Sequence, residues 1–115
     1  MTLAAILFAI AALGGVIMAL MRFCGRDYPP MALSTVHGLF AAAGLVALIA
    51  VVVGAAVASA IKLALGLFVV AAVGGFVLFA FHLKKPALPI PIVVIHGLVA
   101  VVAFIILFVN LLGRA

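Results

Sequence analysis

The chain has 115 residues, 73% of them hydrophobic, and only seven charged side chains: six Lys or Arg and one Asp. No soluble fold of this size hides that much apolar surface, so the expected solvent is lipid. The +5 formal charge is spread over a few helix-end residues rather than gathered into a patch, which excludes nucleic acid as a partner.

A spanning helix needs about 20 mostly apolar residues, and four stretches qualify, at roughly 3–21, 33–54, 61–82 and 90–112. The first begins almost at Met1 with no basic segment before it and is long enough to be retained as a span. "RFCGRDYPPM" (22–31) then breaks the chain, because Pro29-Pro30 prevents a helix from running through. It holds the single cysteine, Cys24, so an internal disulfide and a multi-cysteine metal site are both excluded. Its Asp27 is the only carboxylate and is expected to pair with Arg22 or Arg26.

The second span opens with "VHGLF" (36–40) and ends before a tight link, "AAVASA" (55–60). Lys62 follows near the start of the third span, placed to snorkel to the interface. "LKKPALPIP" (83–91) separates the third span from the fourth, which opens with "IHGLV" (95–99). Links this short make neighbouring helices antiparallel and adjacent. The expected fold is an all-α integral membrane protein with four transmembrane helices in an up-down-up-down bundle.

The basic residues set an expected orientation. Arg22, Arg26, Lys84 and Lys85 fall in or beside the first and third loops, against Lys62 and Arg114 on the opposite side. That balance places loops 22–32 and 83–90 in the cytoplasm of a bacterial inner membrane and both termini outside.

The sequence also repeats itself. Shifted by 60, "LAAILFAIAALGG" (3–15) falls on "LALGLFVVAAVGG" (63–75), and shifted by 59, His37-Gly38-Leu39 falls on His96-Gly97-Leu98. The order and near-constant offset point to a duplicated hairpin, with repeat 1 at about 1–54 and repeat 2 at about 61–113, in one domain, 1–115. An even number of spans per repeat gives both hairpins the same orientation, with a pseudo-two-fold axis along the membrane normal.

Helical spacing aims the histidines inward. His37, Ala41, Gly44, Leu48, Val51 and Ala55 form one stripe; His96, Ala100, Ala103, Leu107 and Asn110 form its mate. His82 continues Ala71, Gly75 and Leu78, and Arg22 continues Ala11, Gly15 and Met18. Small residues along these stripes suit close helix contact in lipid.

Three functions follow as expectations. Size, the absence of a carboxylate pair or activated nucleophile, and interfacial histidines point to a non-catalytic accessory or scaffold subunit of a larger membrane complex or homo-oligomer. The alternative is a haem b electron carrier, with His37 and His96, or His82 and His96, as axial ligands. There Gly38 and Gly97 would leave room beside the porphyrin, and Arg22, Arg26, Lys84 and Lys85 would meet its propionates or lipid headgroups. The third is an oligomeric proton or ion conductor using the inward histidines.

Overall fold

The computed structural model describes residues 1–113; Arg114, counted above in the orientation balance, lies outside the described residues. Four helices account for nearly all of the described chain: α1 (Thr2–Phe23), α2 (Met31–Gly54), α3 (Ser59–Lys84) and α4 (Ile90–Leu112). Each is 22 to 26 residues long and apolar enough to cross a bilayer, in an elongated body of 43 × 19 × 19 Å. The protein is a four-helix membrane bundle.

The helix ends follow from local chemistry. α1 stops in a Schellman motif: Gly25 takes φ +106°, its N–H donates to the Arg22 carbonyl, and the Arg26 N–H donates to the Met21 carbonyl. Only glycine takes that backbone angle without strain. Pro30 caps α2, and Pro91 sits in the first turn of α4, where its missing N–H leaves no bond unmade. α3 begins at Ser59, two residues before its expected start, so the α2–α3 link is only residues 55–58.

The helices stand round a square. α1 packs most extensively on α2, and α3 on α4; the α1–α4 and α2–α3 seams are thinner. The diagonals meet through side chains. Phe8 of α1 and Phe68 of α3 stack across the centre with ring centroids 3.8 Å apart and planes within 1° of parallel. These two residues are also 60 apart in sequence. Gly44 fits beneath them, since a Cβ there would come within 3.0 Å of the Phe8 ring.

Around the stack, Leu48, Ile61, Ala64, Ala103 and Leu107 are sealed almost completely. This is the half of the bundle that carries both termini and the 55–58 link. Large apolar side chains such as Leu13, Val46, Val53 and Phe76 cover the outside, as lipid contact requires.

Candidate functional site at the loop-side half of the bundle

Toward the other end the packing changes, and all three histidines lie there. His37 and His96 are each the seventh residue of their helix. At about 1.5 Å per residue they lie some 9 Å from the start of α2 and α4, about two turns in. They are therefore deeper than an interfacial anchor, and their partners are deeper still.

His37 Nδ1–H donates to the Ala11 carbonyl in α1 at 2.7 Å, and His96 Nδ1–H donates to the Ala71 carbonyl in α3, also at 2.7 Å. A carbonyl oxygen only accepts, so the bond fixes the hydrogen on Nδ1 in both rings. In a neutral ring the Nε2 lone pair is then free. Such a bond between helices in lipid contributes about 0.6–2 kcal/mol.

The paired glycines seat these rings. A Cβ on Gly15 would sit 3.1 Å from His37 Cε1, and one on Gly75 would sit 3.2 Å from His96 Cε1. A Cβ on Gly14 or Gly74 would lie 3.4–4.0 Å from the Cβ and Nδ1 of the same histidines. The "GG" words of α1 and α3 and the "HG" words of α2 and α4 are thus two halves of one contact, made once in each hairpin. Gly38 and Gly97, expected to leave room beside a porphyrin, border open space, with nothing within 4 Å of an added Cβ.

Across the α2–α4 diagonal the two seated imidazoles meet. Their centroids lie 6.2 Å apart and their planes cross at 79°. Sequence alone suggested this partnership by symmetry, and the geometry brings the rings together. His82 belongs to a different group. It is 6% exposed, its Nδ1 lies 3.0 Å from Ser34 Oγ, and its ring lies 5.2 Å from Tyr28 and 6.1 Å from Phe79. Ser34 Oγ is also 3.6 Å from Met18 Sδ. Ser34 and Tyr28 drew no notice in the sequence, because a lone hydroxyl in an apolar helix and a tyrosine in a loop carry no motif.

The basic residues also divide. Arg22 Nε donates to the Leu88 carbonyl at 2.8 Å, while the Leu88 N–H donates to the Asp27 carbonyl, also at 2.8 Å. Both backbone groups of Leu88 therefore tie the third loop to the first, and Arg22 acts as a loop staple. Arg26 and Lys85 line an open cleft with Tyr28 and His82, while Lys84 is exposed beside them. No ion pair joins Asp27 to Arg22 or Arg26. Cys24 is exposed and free, and Lys62 is exposed at the opposite end. Asn110 Nδ2 donates to the Ile106 carbonyl of its own helix, leaving the terminal half of the axis apolar and closed.

No family model matches this chain, and no curated protein and no solved structure proved similar to it.

Proposed function

We propose that this small integral membrane protein is an electron carrier in which His37 and His96 hold a b-type haem between the two hairpins. One observation carries the reading: two imidazoles, each with Nδ1–H committed to a backbone carbonyl, meet across the α2–α4 diagonal with ring centroids 6.2 Å apart. Metal-ligating histidines are typically fixed this way, with one ring N–H donated outward and the other nitrogen presented to the metal. His37 and His96 would hold the iron, each through the Nε2 that its carbonyl bond leaves uncommitted.

The number of donors favours haem over a bare ion. A tetrahedral zinc site needs two further donors, and no cluster of three or more His, Cys, Asp or Glu occurs among the described residues. A porphyrin supplies four equatorial nitrogens of its own, so two histidines complete the iron. The thinner α1–α4 and α2–α3 seams are where a flat group would enter. Lys84 stands exposed at the same end, suited to its acidic edge. The recurrence of one histidine–carbonyl bond and one glycine seat per hairpin supports a duplicated hairpin. The basic loops favour a cytoplasmic position for residues 22–32 and 83–90 in a bacterial inner membrane.

A second reading keeps the imidazoles as structural bolts, in an accessory or scaffold subunit of a larger membrane complex. The same two carbonyl bonds favour it, since they hold α1 to α2 and α3 to α4 with nothing bound.

A reduced-minus-oxidised spectrum with a pyridine haemochrome assay separates the two. The expected result is a b-type spectrum at about one haem per chain, lost in His37→Ala and in His96→Ala and kept in His82→Ala. A flat spectrum from folded protein made in haem-replete cells would leave the bolt reading. Gentle extraction should then return a particle well above the chain's own 11.7 kDa.

A further inference from the structure

The cleft at the loop end stands apart from the paired histidines. It encloses about 410 Å³ between the start of α2 and the end of α3. Arg26, Tyr28, His82 and Lys85 supply its polar lining, with Met31 and Leu83 among its apolar walls. Asp27, the only carboxylate of the chain, does not line it. Two cations thus face one small space without a counter-charge.

Two details mark this space as more than a loop surface. His82 is nine-tenths buried, yet its ring borders the cleft. Its Nδ1 is engaged by Ser34, and Nε2 has no partner among the described residues. The Ser34 hydroxyl has one hydrogen to give, to Met18 Sδ or to His82 Nδ1; with an acceptor in the cleft it turns to the shorter contact at Nδ1, and the ring hydrogen then sits on Nε2. Lys85 holds φ +64°, a left-handed conformation that a side chain rarely adopts and that glycine or asparagine would normally fill. Lys85 ends α3 in this left-handed cap, its N–H donating to the His82 carbonyl, and so turns the chain at the edge of the cleft.

We infer that this cleft binds the phosphate headgroup of an acidic phospholipid, with Arg26 and Lys85 contacting the phosphate and Tyr28 and His82 donating to its oxygens. The position argues for a lipid. The cleft opens where two membrane-spanning helices end, and its apolar walls continue the lipid-facing surface through Met31 and Leu83. Charge-assisted bonds from arginine and lysine are the strong contacts to phosphate.

Native mass spectrometry of the full chain in a neutral detergent tests this, with phosphatidylglycerol, phosphatidylcholine and inorganic phosphate as separate probes. Phosphatidylglycerol should remain bound at one copy per chain and outcompete phosphatidylcholine. Lys85→Gly and Arg26→Gln should each weaken it roughly fivefold, while Lys62→Gln at the opposite end leaves it unchanged. Lys85→Gly relieves the left-handed strain, so its loss of binding cannot be laid to misfolding. Inorganic phosphate that binds alone, with the same dependence on Arg26 and Lys85, would uphold the anion site and assign it to free phosphate. Equal retention of both lipids, or phosphatidylglycerol affinity indifferent to both variants, would overturn the proposal.

Discussion

The two halves of this bundle spend their residues differently. The half with the termini is closed by Leu48, Ile61, Ala64, Ala103 and Leu107 around the Phe8–Phe68 stack. The half with the long loops has half-buried imidazoles on glycine seats, a buried histidine bonded to a hydroxyl, and an open cleft. Lipid removes the usual drive to bury apolar side chains, so the first half is held by close packing and the second by polar bonds between helices. The bundle is thus tightly closed at one end and more polar and open at the other.

That division predicts where substitutions cost most. Leu48→Ala or Leu107→Ala, at fully buried positions, should destabilise by roughly 2–5 kcal/mol, measured by reversible unfolding in mixed micelles. A cost below 1 kcal/mol would mean that the terminal half is not the tightly closed end. Gly15→Ala and Gly75→Ala push a Cβ to within 3.1–3.2 Å of the imidazole. Each should cost about 1–3 kcal/mol by overpacking and shift or remove the visible spectrum of any bound haem. Equal behaviour of the two variants would sharpen the equivalence of the hairpins.

Smaller effects of opposite sign are expected elsewhere in the loop-side half. Lys85→Gly should stabilise by about 1–2 kcal/mol, because it releases a left-handed residue. Thermal unfolding by circular dichroism would show a raised midpoint, and a lowered one would place Lys85 in a stabilising contact instead. Gly38→Ala and Gly97→Ala meet open space and should stabilise by up to about 1 kcal/mol through helix propensity. Set beside Gly15→Ala and Gly75→Ala, they separate the seat of the ring from the residue that merely follows the histidine.

Much of the architecture was legible in the sequence. Apolar runs of spanning length, broken by Pro29-Pro30 and by the three prolines of 83–91, suffice for four antiparallel helices. The inward stripes hold too: Ala11, Gly44, Leu48, Ala71, Ala103 and Leu107 are buried where the spacing put them, although Ala55, at the end of its stripe, is exposed in the link. The candidate site was only partly legible. Symmetry pointed to His37 with His96, but spacing along one helix cannot report depth against a neighbour. The Ala11 and Ala71 carbonyls therefore could not be foreseen as partners. Gly38 and Gly97 adjoin the histidines in sequence but take no part in seating the rings, because adjacent residues in a helix point about 100° apart.

The sequence by itself determined the apolar solvent, the four spans and their order, because these depend on composition and period. Only the tertiary structure decided that the glycine pairs seat the imidazoles, that Arg22 closes the loops through Leu88, and that His82 borders the cleft. Each depends on which backbone and side-chain atoms of different helices come within bonding distance, and that is set by helix rotation and offset. A shift of a few ångströms between α1 and α2 would leave every apolar stripe in place and yet remove the His37–Ala11 bond.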